Sequence, residues 1–310
     1  MIIKHLVKIM LMCCLYTVTA SAKTEINTAE TKYPIILVHG LFGFNDIWGI
    51  DYFYNIPQAL KENGAMVFIA SVSPSNQTEI RGEQLRTFVQ AVMALTGADK
   101  VNLIGHSHGA PTARYVASVS PEWVASVTSV GGVNWGSGLA DFIRRKITPH
   151  SNKEWLIAKG LNSLAYLIAG ISGNQGLPIN SIAMADSLTT EGSILFNQTY
   201  PEGIPSQYCG ETDMIADNGV YYFSWSGTSV ITNYLDAIDY TLALTSLVFD
   251  EENDGLVSKC SSHLGKVIKD DYKMNHLDEI NQSFGLVSWW ETNPVNIYRQ
   301  HANYLKSLGL

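Results

Sequence analysis

The sequence predicts an α/β fold, a mostly parallel sheet with helices packed on both faces. Three observations lead there. Short continuous apolar runs alternate with stretches of helical period, the order that βαβ units require. Tyr33 to Val38 is a continuous rather than an alternating run, which is how a strand reads when both of its faces are covered. The chain has 310 residues, 46% of them hydrophobic and 15% charged, enough apolar material for one large core, and no linker or repeat divides it.

The elements follow in chain order. Tyr33 to Val38 is an apolar strand that ends in a tight turn at His39-Gly40, and Met66 to Ala70 reads as a second strand. Glu79 to Leu95 carries Ile80, Leu85, Val89 and Val92 at helical spacing. Val101 to Ile104 is a third strand, a helix is expected from about Ala110 to Val119, and Val124 to Val130 is another buried strand. Trp155 to Ile171 is an amphipathic helix with Leu156, Leu161, Leu164, Leu167 and Ile168 as its stripe. Residues 172–219 are rich in Gly, Ser, Asn and Pro and predict loops with short helices; Val220 to Trp225 resumes a strand, and Asn296 to Leu308 is a terminal helix.

The N-terminus predicts export. Lys4 and Lys8 precede the apolar run Ile9 to Val18, and Ala20-Ser21-Ala22 offers the small residues that a signal peptidase needs. Residues 1–22 are therefore expected to be a cleaved secretory signal, leaving residues 23–310 as one secreted, extracellular domain reached through the periplasm. Met12 in front of Cys13 argues against a lipoprotein signal. Losing Lys4 and Lys8 takes the formal net charge from −8 to −10, which disfavours nucleic acid as a partner. Cys13 and Cys14 leave with the signal. Cys209 and Cys260 remain, and two cysteines in an exported chain allow one pairing.

The strongest local signal is Gly105-His106-Ser107-His108-Gly109, which fits the G-x-S-x-G pattern between a predicted strand and a predicted helix. A serine in such a turn has an exposed hydroxyl, side chains at 105 or 109 would crowd the neighbouring backbone, and the helix behind it aims N–H groups at developing negative charge. The alternative reading is an ordinary serine in a βα turn.

The base of such a site follows the serine in the chain. His263, His276 and His301 lie well downstream; His301 sits in the terminal helix, and position alone leaves His276, in Met274-Asn275-His276-Leu277-Asp278, and His263 open. The acid precedes the base near a strand end, where Asp254, in the turn Asn253-Asp254-Gly255, competes with Asp250.

The motifs just quoted, together with Tyr33-Pro34-Ile35-Ile36-Leu37-Val38-His39-Gly40, Arg81-Gly82-Glu83-Gln84-Leu85 and Cys260-Ser261-Ser262-His263-Leu264-Gly265, resemble the Pseudomonas-type secreted bacterial triacylglycerol lipases of subfamily I.1, over about residues 31–307. The resemblance implies an α/β-hydrolase fold with a helical lid at about residues 150–172. It places nucleophile, acid and base on Ser107, Asp254 and His276, and the oxyanion-binding backbone N–H groups on Leu41 and His108. It matches the disulfide to Cys209 and Cys260.

It further implies one structural Ca2+ held by the carboxylates of Asp236 and Asp278 and the backbone carbonyls of Gln282 and Leu286, no organic cofactor, and a membrane-anchored foldase during maturation. Without it, Asp236 and Asp278 read as surface acids. Gly132-Val133-Asn134-Trp135-Gly136 and residues 172–186 depart from the family pattern, which bears on acyl-chain preference. The expected reaction is hydrolysis of long-chain acylglycerol esters at a lipid–water interface through a covalent acyl-enzyme. The rivals are a carboxylesterase for short soluble esters and a non-catalytic binding protein of the same fold.

Overall fold

The computed structural model describes residues 28–44, 46–47, 49–172 and 176–310. The expected signal segment, residues 1–22, lies outside the described residues. Six strands form one parallel sheet: β1 (Ile35–Val38), β4 (Val67–Ile69), β5 (Val101–His106), β6 (Val124–Val130), β7 (Tyr221–Gly227) and β8 (Lys266–Tyr272), in the order β4-β1-β5-β6-β7-β8. Two short strands, β2 (Asp46–Ile47) and β3 (Ile50–Asp51), pair antiparallel beside it.

Alternation along β1 sorts its side chains between two apolar layers. Ile36 and Val38 join Leu103 and Val127 beneath Leu85 and Val89 of α2 (Thr78–Thr96) and Val116 of α3 (Gly109–Val119). Ile35 and Leu37 join Ile104 and Val130 against Ile56 and Leu60 of α1 (Ile56–Glu62) and Ile297 and Tyr298 of α9 (Pro294–Ser307). The sheet is thus covered on both faces, which is why every residue of its central strands β1, β5 and β6 is buried.

β8 has no counterpart among the strands expected from sequence. Its run Lys266-Val267-Ile268-Lys269-Asp270-Asp271-Tyr272 is mostly polar because it is the sheet's edge, where charge discourages further pairing. The short helices α1, α4 (Gly138–Lys146) and α8 (Ala237–Ser246) were likewise not legible by period. Segment 172–219 does contain two helices, α6 (Ser181–Ser187) and α7 (Thr190–Thr199).

The predicted amphipathic helix is α5 (Asn152–Ile171), started by Ser151, whose side chain accepts from the Glu154 N–H. The face turned inward carries Glu154, Ala158, Ala165 and Ala169, while Trp155, Leu156, Leu164, Tyr166 and Leu167 are exposed. Of the stripe, Leu156, Leu164 and Leu167 face solvent, while Leu161 and Ile168 are half-buried.

Candidate active site

The carboxyl end of the central strand β5 delivers Ser107 into a left-handed turn, φ 57°, that a non-glycine residue adopts only under constraint. Space explains the flanking glycines. A Cβ on Gly105 would lie 2.6 Å from the Ala110 N, and one on Gly109 would lie 2.9 Å from the His39 carbonyl O. The chain enters α3 immediately, with His108 as its N-cap. Neither the Leu41 nor the His108 backbone N–H donates a hydrogen bond to another group among the described residues.

Asp254 and His276 meet. His276 Nδ1 donates to Asp254 Oδ2 at 2.7 Å, and Asp254 Oδ1 accepts from the N–H groups of Leu256 and Val257 at 2.9 and 2.7 Å. The carboxylate is 1% exposed, and three donors compensate for its burial. A further bond, His276 N–H to the Asp254 carbonyl at 3.0 Å, clamps the two loops together. The His276 ring lies 4.4 Å, centroid to centroid, from that of His106, the residue before Ser107. Among the described residues Ser107 Oγ makes no hydrogen bond with His276. Catalytic contacts of this kind often tighten only when substrate arrives.

The other candidates go elsewhere. His263 is fully engaged, Nδ1 with the Gly210 carbonyl at 2.9 Å and Nε2 with Asp270 at 2.9 Å. His301 Nε2 pairs with Thr128 at 2.7 Å, and burial depresses its pKa to about 3. Asp250 is exposed. Cys209 and Cys260 form a disulfide.

Sequence reasoning missed three buried groups at this wall: Tyr52, His106 and Glu279. Glu279 Oε1 accepts from the Gly227 N–H at 2.6 Å, while Oε2 has no hydrogen-bond partner. Burial, then the neighbouring Asp254, hold its pKa well above the usual carboxylate range. The only sequence hint was an acid three residues after His276.

Two groups of side chains bear on a metal. His106, His276 and Glu279 lie close enough together to surround an ion. Their hydrogen bonds argue against it: His106 Nε2 faces the His276 carbonyl at 2.9 Å, Nδ1 faces the Tyr52 hydroxyl at 2.8 Å, and His276 Nδ1 is taken by Asp254. Of the acids expected at a calcium site, Asp278 lies two residues past His276, and Asp236 caps the helix α8. Asp278 is 1% exposed with Oδ1 unpartnered, and its pKa is pushed up to about 7, mainly by burial and also by Asp239 and Asp236. Asp239 is satisfied by Asn275 and by the N–H groups of Thr232 and Asn233. Asn281, Ser283 and Phe284 all take left-handed backbone angles, φ 56–60°, in the stretch that carries the Gln282 carbonyl. Buried carboxylates with an orphan oxygen beside a strained loop are donors that suit a hard divalent cation.

A serine on a strand–helix elbow with an Asp–His pair beside it defines the α/β-hydrolase class. Residues 33–279 match the model of the alpha/beta hydrolase fold family. Over 292 residues the chain is 54% identical to a triacylglycerol lipase of Vibrio cholerae, covering 94% of this chain and 93% of that protein. It is 43% identical to one from Pseudomonas fragi, covering 92% and 99%. A lipase from Bacillus licheniformis, BlEst2 in its mature form, shares the fold at a TM-score of 0.57 and 22% identity, covering 82% of this chain and 89% of that one. The chain belongs to the bacterial lipases of the α/β-hydrolase superfamily.

Proposed function

We propose that the protein is a secreted triacylglycerol lipase that cleaves long-chain acylglycerol esters with Ser107, His276 and Asp254. The observation that carries this reading is the buried Asp254–His276 pair beside the Ser107 elbow. His276 Nε2 takes the proton of Ser107 Oγ as the oxygen attacks the ester carbonyl. Asp254 keeps the imidazole in the tautomer with the proton on Nδ1 and stabilises the cation formed. The Leu41 and His108 amides take the charge that builds on the carbonyl oxygen. His276 then protonates the departing glycerol oxygen, and a water deprotonated by the same nitrogen releases the fatty acid from Ser107.

Asp236, Asp278 and the carbonyls of Gln282 and Leu286 would hold a calcium ion whose part is structural, neutralising acids next to the loop that carries the base. The exposed face of α5, with Trp155, Leu156, Leu164, Tyr166 and Leu167, suits contact with lipid, where aromatic and aliphatic side chains are stabilised. Export through the signal at residues 1–22 and assistance from a membrane-anchored foldase complete the proposal.

The test is labelling by a fluorophosphonate probe combined with turnover of triolein and of a short nitrophenyl ester. Labelling that disappears in Ser107→Ala, with a marked rate increase above the aggregation point of the ester, is expected. Turnover confined to monomeric short esters would replace the lipase reading by that of a carboxylesterase. Unchanged labelling of Ser107→Ala would remove the triad.

A further inference from the structure

A buried hydrogen-bond chain runs behind the site from the oxyanion loop to the base, and the reaction described above makes no use of it. The Gly40 N–H meets the Tyr52 hydroxyl at 3.2 Å, the hydroxyl meets His106 Nδ1 at 2.8 Å, and His106 Nε2 meets the His276 carbonyl at 2.9 Å. Donor and acceptor roles leave no freedom. A carbonyl only accepts, so His106 carries its proton on Nε2. Nδ1 is then an acceptor, so the Tyr52 O–H donates to it and the hydroxyl oxygen receives the Gly40 N–H. Tyr52 is 8% exposed, and His106 and Gly40 are buried. Burial raises the Tyr52 pKa and lowers that of His106, so the chain keeps one protonation pattern across neutral pH.

The two ends of this chain are the two parts of the site that must be in register. At one end, the Gly40 carbonyl is held by His39 Nδ1 at 3.0 Å and approached by Arg81 at 3.5 Å, while its N–H is held by Tyr52. In a trans peptide the carbonyl and the following N–H point opposite ways, so fixing the Gly40 carbonyl aims the Leu41 N–H. The space is closed as well: a Cβ on Gly40 would come within 2.7 Å of Ser107 Cβ and 2.8 Å of the Tyr52 hydroxyl. At the other end, the His276 carbonyl is fixed by His106, while its N–H and Nδ1 are fixed by Asp254. Glu279 Oε2 stands 3.6 Å from His106 Nε2, farther than the carbonyl, and does not replace it.

We infer that Tyr52 and His106 are positioning residues whose hydrogen bonds set the Leu41 oxyanion amide and the His276 imidazole in register across Ser107. The inference rests on the catalytic reading of Ser107, Asp254 and His276. Neither side chain touches substrate in this role, so its loss is felt in the transition state and not in binding. Displacing one catalytic group by a fraction of an ångström is enough to slow the chemical step.

The experiment measures kcat and KM on a soluble nitrophenyl ester and the affinity for an alkyl boronic acid, which mimics the tetrahedral state, in Tyr52→Phe, His106→Leu and His106→Gln. Tyr52→Phe keeps the ring and loses only the hydroxyl. We expect its kcat and boronate affinity to fall together by about tenfold, with KM changed less than twofold. His106→Gln offers an amide that donates to one neighbour and accepts from the other, and is expected to recover most of the rate lost in His106→Leu. The double variant Tyr52→Phe, His106→Leu should lose no more than the worse single one, as members of one chain do.

A folded Tyr52→Phe enzyme with wild-type kcat overturns the inference, as does a loss that appears in KM alone. If Tyr52→Phe does not fold, His106→Gln and His106→Leu with equal rates overturn it instead. Failure of the underlying reading looks different: Ser107→Ala would then keep its labelling whatever Tyr52 does.

Discussion

The elbow around Ser107 and the loop around His276 reach the same point by opposite means. The elbow is held by covalent geometry and close packing: a left-handed serine squeezed between glycines whose absent side chains leave room for neighbouring backbone. The base loop has no such frame. Asp254, Asn275, Asp278 and Gln282 position it through side-chain hydrogen bonds, Gln282 reaching the Asp51 and Tyr52 carbonyls at 2.8 and 2.9 Å. Asp278 still has an oxygen with no partner there. A site assembled from one rigid and one polar half is damaged at the first half by volume and at the second by charge.

The largest effect should come from volume. Gly109→Val places atoms against the Val38 and His39 carbonyls, between the central strands and α3, and overpacking of this kind costs several kcal/mol. Loss of soluble folded protein, read by circular dichroism after expression, is expected; a folded variant with a normal melting temperature would show the elbow to be less tightly framed than its contacts indicate.

Next, Asp254→Asn should lower kcat by about 10^4-fold because the imidazole takes the wrong tautomer. One carboxylate oxygen already serves as an acceptor for two N–H groups, a part that the amide oxygen keeps, so folding should survive. Active-site titration and a thermal melt separate these effects, and a loss below tenfold would mean that another group orients His276.

Removal of divalent cations by a chelator should act on the polar half alone. Withdrawing an ion present at about 100 times its Kd costs about 2.7 kcal/mol. A fall in melting temperature of roughly 5–10 °C is expected for a domain of this size. Activity should return with Ca2+. An unmoved melting temperature would exclude an ion that holds this loop.

Acid acts on the rigid half, and counted per histidine its effect is the smallest. Burial holds the pKa of His39 at about 3 and those of His106 and His108 well below 6.5. Their folded values lie below the unfolded value, so the unfolded chain binds more protons. The stability they leave intact above pH 6.5 is therefore lost as pH falls towards 3. Denaturant melts between pH 7 and 5 should show stability declining with a slope of at most about one proton per histidine. A flat profile would mean that these rings are protonated in the folded protein.

The two halves also differ in how far the sequence revealed them. The elbow is a local object: five consecutive residues between a strand and a helix specify its turn, its glycines and its exposed hydroxyl, and that much was readable. The candidate base was less local. Position favoured His276 over His263 without deciding between them, the family resemblance pointed to His276, and the fold shows His263 spent on Gly210 and Asp270 while His276 faces Asp254. The stripe of α5 was readable as a helix but its largely exposed setting was not, because period reports which residues lie together and not which way they point. Strand β8 was hidden by its charged edge sequence.

By itself, the sequence determined the layered α/β order, the nucleophile's turn and the single cysteine pairing, since each depends on residues near one another or on simple counting. Only the tertiary structure shows that the side chains of His276 and Asp254 meet, which acid is left with an unsatisfied oxygen, and that Tyr52 and His106 join the two halves. Those are meetings between segments tens to hundreds of residues apart, and their geometry exists only once the sheet has brought the strand ends together.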